Sequence, residues 1–131
     1  MANILIVEDD RVVRRLCAFI LMRAGHCVRE ASTMKEAQRI FGKHVIDLAV
    51  IDLVLPGGGS GTDCAIGLIR ANSQAKIVLM SGWPIDWYGR DSENMQMILE
   101  KSYEILRKPF GPDELVQAVS ALISQTFTGT V

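Results

Sequence analysis

The run Leu48-Ala49-Val50-Ile51-Asp52-Leu53-Val54-Leu55-Pro56 constrains this chain most. From Leu48 to Leu55 only Asp52 is polar. A short, nearly continuous apolar run reads as a strand buried on both faces, the pattern of a parallel sheet covered by helices. Pro56 cannot donate to a strand ladder, and Gly57-Gly58-Gly59-Ser60-Gly61 beyond it reads as a turn. Asp52 therefore falls near the carboxyl end of a central strand, the edge at which open α/β sheets bind ligands. A carboxylate there is costly unless it is paired, solvated or bound to a cation. Taken alone, a strand-end Asp that caps the next loop is the plainer reading.

The rest of the chain decides between these. Asn3 to Val7 is an apolar strand that stops at Glu8-Asp9-Asp10. Val12, Leu16, Phe19 and Ile20 then recur at helical spacing, with Gly25 as a natural stop. Arg11, Arg14 and Arg15 share the opposite face, which reads as plain solvation. Cys27 to Ala31 is a second strand, and Thr33 with Glu36 is a capping-box signature for a helix reaching about His44. After the glycines, Thr62 to Ala71 reads as a helix and Lys76 to Met80 as a strand ending in Ser81-Gly82. Pro84 forces Trp83 out of the α region, and a helical stripe resumes near Glu93 with Met95, Ile98 and Leu99. Ile105 to Arg107 is a short strand followed by Lys108-Pro109-Phe110. Pro112 opens the last helix, with Asp113 and Glu114 near its positive end and Leu115, Val119, Leu122 and Ile123 as its apolar stripe. Residues 125–131 read as a frayed, polar tail beyond a domain spanning 1–124. Strands alternating with helices in this way imply an α/β fold, a doubly wound parallel sheet of five strands and five helices with right-handed crossovers.

Composition narrows the function. A length of 131 residues suits one domain, and 49% apolar with 22% charged residues suits a packed core. A net charge of −1 gives no electrostatic reason to expect nucleic acid or an anionic membrane as partner. No apolar run approaches a membrane span or a signal-peptide core, which points to the cytoplasm. Cys17, Cys27 and Cys64 form no Cys-x-x-Cys pair and read as small buried hydrophobes. His26 and His44 lack a partner at metal-ligand spacing, so a zinc site is not expected.

In this architecture several strand ends bring reactive groups to one edge: Glu8 and Asp9, then Asp52, then Ser81, with Lys108 just past the last strand. Converging carboxylates repel each other, which raises pKa values or calls for a cation. Mg²⁺, a hard ion with oxygen ligands, answers that need. A carboxylate, a magnesium site, an ammonium and a hydroxyl together suit phosphoryl transfer to the carboxylate, with Asp52 attacking in line.

Four motifs in order carry a resemblance: Ile-Leu-Ile-Val-Glu8-Asp9-Asp10, Asp47-Leu-Ala-Val-Ile-Asp52-Leu-Val-Leu-Pro56, Leu79-Met80-Ser81-Gly82 and Lys108-Pro109-Phe110. The chain resembles the receiver domain of two-component response regulators from Asn3 to about Ser124. The resemblance implies a flavodoxin-like sheet of order 2-1-3-4-5. It implies that Asp52 is the phosphoacceptor and that Asp9, Asp52 and the Val54 backbone carbonyl bind Mg²⁺, with Glu8 acting through water. Ser81 would hydrogen-bond the phosphoryl group, and Lys108 would ion-pair with it, commonly before a cis proline. The donor would be a phosphohistidine on a histidine kinase or histidine phosphotransfer protein, and an output protein or a second copy would read the result. No nucleic acid or membrane contact by this domain is implied, and the chain would catalyse its own phosphorylation and slow dephosphorylation rather than act as an enzyme on others.

The chain departs from the family pattern in places. Ile105 stands where the family commonly has an aromatic switch residue, and Tyr103 reads as part of a helix end. Val54 and Trp83, two residues beyond Asp52 and Ser81, occupy positions that modulate hydrolysis in the family. Two other readings compete: a nucleotide-binding α/β enzyme cradling phosphate in Gly57–Gly61, and a receiver-like scaffold that is not phosphorylated.

Overall fold

The computed structural model describes residues 2–55, 60–82, 93–100 and 103–128. The turn at 56–59 and the segment 83–92, with Trp83, lie outside the described residues. Five strands, β1 (Asn3–Val7), β2 (Cys27–Ala31), β3 (Leu48–Asp52), β4 (Lys76–Ser81) and β5 (Tyr103–Arg107), alternate with α1 (Arg11–Arg23), α2 (Met34–Phe41), α3 (Gly61–Ala71), α4 (Glu93–Leu99) and α5 (Pro112–Thr128). The sheet is parallel, in the order β2-β1-β3-β4-β5. This is the doubly wound α/β architecture that the alternation implied.

Strand alternation splits the core into two layers. Leu5, Val7, Ala49, Ile51, Ile77 and Leu79 face Ala37, Cys64, Leu68, Met95 and Ile98 of α2, α3 and α4. Ile4, Ile6, Leu48, Val50, Val78 and Met80 face Cys17, Leu21, Leu115, Val119 and Leu122 of α1 and α5. All five residues of β3 are buried, as the apolar run required.

Local chemistry fixes the helix starts. Asp10 caps α1, its carboxylate accepting from the Val12 and Val13 N–H groups at 2.9 and 3.2 Å. Thr33 caps α2 through the Glu36 N–H. The Glu36 carboxylate reaches one residue further back than a capping box requires, to the Ser32 N–H and hydroxyl. Ser60 and Asp63 form the reciprocal box at α3.

Several expected details differ. The stripe Val12, Leu16 and Phe19 faces solvent, at 74%, 55% and 55% exposure, whereas Cys17, Ala18 and Leu21 make the buried face of α1. Strand β5 starts at Tyr103, so this ring belongs to a strand and packs against the layer of α2, α3 and α4. Helix α2 ends at Phe41, short of His44, and α5 continues to Thr128, into the stretch read as a tail. Among the described residues, no helix is long and apolar enough to cross a membrane.

Candidate functional site

The strand register brings the reactive side chains together. Val7 pairs with Ile51, Asp52 with Met80, and Ser81 with Arg107, so the carboxyl ends of β1, β3, β4 and β5 lie level. The ladder continues past them through Glu8 N–H to Ala31 O at 3.0 Å, Leu53 N–H to Met80 O at 3.0 Å and Lys108 N–H to Ser81 O at 2.8 Å. Glu8, Leu53 and Lys108 are thereby fixed by main-chain bonds just beyond regular strands. The Lys108–Pro109 peptide is cis, as the resemblance led one to expect.

Lys108 is the centre of the arrangement. Its Nζ donates to Glu8 Oε1 at 2.8 Å and to Asp52 Oδ2 at 2.9 Å. Asp52 Oδ1 accepts the Val54 N–H at 3.0 Å. Glu8 is 1% exposed and Asp52 8%, while Asp9 is open to solvent. One carboxylate oxygen from each of Glu8, Asp9 and Asp52 lies within 4.8 Å of the others. Asp10, the third acid of the run, is spent on the helix cap, which separates its role from that of its two neighbours.

Two buried carboxyls beside one ammonium cannot be equivalent. Burial, then the neighbouring Asp52, pushes Glu8 up to about 8, with Lys108 working in the other direction. Burial would also raise Asp52, but the nearby Glu8 carboxyl, the Val54 N–H and Lys108 outweigh it and hold Asp52 below its ordinary value. Burial alone would lower Lys108, and its bonds to Glu8 and Asp52 overcome that and raise it. The environment thus favours the protonated form of Glu8 and the ionised form of Asp52 beside the Lys108 ammonium.

The donor set fits a hard divalent cation. Among the described residues, the carboxyl groups of Glu8, Asp9 and Asp52 gather beside the Lys108 ammonium, which pairs with Glu8 and Asp52, and Glu8 Oε2 is buried without a hydrogen-bond partner. A carboxylate cluster with spare lone pairs and no nitrogen or sulfur ligand suits Mg²⁺ rather than zinc.

Of the remaining expected site residues, Ser81 is fully buried at the end of β4, one residue beyond the register partner of Asp52. The Val54 side chain is 59% exposed beside Asp52. Ile105 is half-buried, paired with Leu79. The solvated reading of the arginine face fails at Arg14, whose side chain is only 16% exposed. Its Nη1 donates to the Glu8 carbonyl at 3.1 Å and its Nε to Glu30 Oε1 at 3.2 Å. The sequence shows complementary charges at 14 and 30 but nothing that pairs them across two elements.

A model of the response regulator receiver domain matches residues 4–120. The chain belongs to that family. It is 34% identical over 135 residues to the aerobic respiration control protein ArcA of Escherichia coli, covering 98% of this chain and 52% of that protein. It is 29% identical over 127 residues to the phosphate regulon transcriptional regulatory protein PhoB of Pseudomonas aeruginosa, covering 97% and 54%. The receiver chain thus spans about half the length of the curated relatives it matches. Among solved structures, a response regulator receiver domain protein from Clostridium thermocellum superposes with a TM-score of 0.81 at 25% identity, over 98% of both chains. A receiver protein from Sinorhizobium medicae shares the fold with a TM-score of 0.79 at 24% identity, over 94% of both chains.

Proposed function

We propose that this receiver domain accepts a phosphoryl group on Asp52 from a phosphohistidine and changes its surface in response. The observation that carries the reading is the Lys108 ammonium held between Asp52 and Glu8 at the level strand ends. Asp52 is the carboxylate kept ionised at neutral pH, so it is the available nucleophile. In the transfer, an Asp52 oxygen forms the new P–O bond as the P–N bond to the donor imidazole breaks, and the leaving nitrogen keeps the electron pair. Lys108 exchanges its contact with Asp52 for the phosphoryl oxygens, a point charge moving to where negative charge now lies. Ser81 donates its hydroxyl to the same group.

Asp9, Asp52 and the Val54 carbonyl would hold Mg²⁺, with Glu8 acting through water. When bound, the ion supplies charge neutralisation at the phosphoryl oxygens. The orphaned Glu8 Oε2 and the excess of carboxylates over ammonium support this assignment.

A protein donor is favoured over a free small molecule by the surface beside the site. A groove of about 390 Å³ runs from Lys108 along Phe110 and Pro112 to Val12 and Leu16 of α1. Its apolar wall continues as the exposed Phe19. A helical bundle presenting a phosphohistidine could cover that wall while placing its phosphorus at Asp52. The output partner would be a further domain or a separate protein.

The test is labelling with radioactive acetyl phosphate, with and without Mg²⁺. Wild type is expected to label only with the ion, and Asp52→Asn not at all. Equal labelling of Asp52→Asn, or of wild type in excess chelator, would remove the proposal.

A further inference from the structure

The geometry points to Arg14 as the positioning residue of the acidic turn: with Glu30 behind it, it fixes the Glu8 main chain and so sets the divalent-cation affinity of Glu8 and Asp9. This rests on the metal site proposed above. Glu8 is held at both of its main-chain polar groups, and both holds lead to the end of β2. Its N–H donates to the Ala31 carbonyl at 3.0 Å. Its carbonyl accepts Arg14 Nη1 at 3.1 Å, and Arg14 Nε donates to Glu30 Oε1 at 3.2 Å. Consecutive residues of β2 thus anchor the two peptide units that flank the Glu8 Cα, Ala31 directly and Glu30 through the guanidinium.

The chemistry of the guanidinium matters here. Its rigid planar fork gives an N–H from one nitrogen to a carboxylate and an N–H from another to a carbonyl, a spaced pair of donors that the point-like ammonium of a lysine does not reproduce. The pair is largely covered, whereas Arg15, at 3.6 Å from Glu30 Oε2, is 69% exposed and adds little to the hold. Past Glu8 the turn is closed by Asp10, which caps α1, the helix that carries Arg14. Asp9 is therefore suspended between two fixed points, the clamped Glu8 carbonyl and the capping Asp10. Partners behind the ligands of a metal site commonly change its affinity by roughly 10–100-fold when removed, because they hold the ligands in register.

This reading opposes simple electrostatics in sign. A guanidinium near an acidic cluster repels a divalent cation, so deleting it should tighten binding if charge alone acted. If Arg14 positions the turn, deletion weakens binding. A purely structural role would lower thermal stability and leave the affinity of the folded chain unchanged.

The experiment counts free Mn²⁺ by electron paramagnetic resonance, with Mg²⁺ as competitor. It compares wild type, Arg14→Ala, Arg14→Lys, Glu30→Gln and the Arg14→Ala/Glu30→Gln double variant, well below their unfolding temperatures. Arg14→Ala is expected to weaken Mg²⁺ binding by about tenfold, Arg14→Lys to fail to restore it, and the double variant to be no weaker than Arg14→Ala. Unchanged or tighter binding in Arg14→Ala, full affinity in Arg14→Lys, or additive losses in the double variant would overturn the inference. If Arg14→Ala does not fold, Arg14→Gln and Glu30→Gln make the same comparison. A wild type that binds neither ion removes the metal site and this inference together, whereas normal wild-type binding with unaltered variants removes the inference alone.

Discussion

Gly61, the first residue of α3, lies against the main chain of Asp52, where a Cβ would collide with the Asp52 carbonyl oxygen and sit 2.7 Å from Leu53 Cα. Its N–H donates to the Leu53 carbonyl at 3.1 Å. The start of the helix is thus seated directly on the strand end that carries the proposed phosphoacceptor. Gly61→Ala is expected to cost about 1–3 kcal/mol, the usual range for overpacking against atoms that cannot move aside. Because the displaced atoms belong to Asp52 and Leu53, acetyl phosphate labelling should slow as well. Gly82→Ala is the control, since a Cβ there meets nothing within 4 Å among the described residues. Urea unfolding of both variants checks this, and equal midpoints would refute it.

The exposed face of α1 gives a second test. Leu16 lines the groove beside Lys108, and Phe19 lies beyond it on the same helix. Both are turned to solvent, so Leu16→Glu and Phe19→Glu should leave the fold within about 0.5 kcal/mol of wild type. Transfer from a phosphohistidine protein is expected to fall by roughly tenfold or more, in line with truncating an apolar anchor at an interface. Labelling by acetyl phosphate, which needs no protein surface, should not change. A loss in both assays would place the defect in the site, and a loss in neither would free this face of the role.

How far the sequence led is visible at these same residues. The central strands β1, β3 and β4 were legible because each is a short, mostly apolar run ending at a polar residue, and those ends are part of the site: Glu8 after β1, Asp52 in β3 and Ser81 in β4, with Lys108 following the edge strand β5. Helix α1 was legible as a helix but not in its orientation. Val12, Leu16 and Phe19 make the more apolar stripe, yet Cys17, Ala18 and Leu21 face the sheet, and periodicity cannot choose between neighbouring stripes. Three acids in a row gave no sign that Asp10 would cap the helix, because capping depends on where the chain turns. Arg14 read as solvated because its partners, a carbonyl and Glu30, become neighbours only when β1, β2 and α1 assemble. Tyr103 was lost to a helix end for a similar reason: its strand character comes from pairing with Ile77.

The buried Glu8 predicts an unusual pH dependence of stability. Its folded-state pKa is raised to about 8 from an ordinary 4.5, burial being the main cause and Asp52 the next. Between these values the folded chain holds a proton that the unfolded chain has released, so stability falls as pH rises through that window. Below it both states are protonated and the penalty vanishes; above it both are charged and the penalty is complete. Glu8→Gln removes this slope. Relative to wild type, the variant should gain stability from pH 5 to pH 8.5, by an amount on the order of a few kcal/mol. Mg²⁺ should narrow the gap at the higher pH by stabilising the charged form. Denaturant titrations at the two pH values decide it, and a gap that does not grow with pH would show that Glu8 titrates normally.

The last prediction concerns how long the phosphoryl group stays. Hydrolysis requires a water in line with the Asp52–phosphorus bond, on the side away from the carboxylate oxygen. Val54 stands next to that approach: its N–H is bonded to Asp52 Oδ1 at 3.0 Å and its side chain is 59% exposed. An isopropyl group can cover a phosphoryl group but has no polar atom with which to orient a water. Positioning supplies much of the catalysis in phosphoryl transfer, so a site without a water-orienting side chain should hydrolyse slowly. Val54→Asn introduces an amide that can both accept from and donate to water, and it should shorten the lifetime of the label by about tenfold. Combining it with Trp83→Glu should shorten it further. Val54→Ala separates orientation from access: it opens the approach without adding a polar atom. If Val54→Ala loses label as fast as Val54→Asn, the side chain acts only as a cover. If neither variant, nor the double, decays faster than wild type, Val54 has no part in retention.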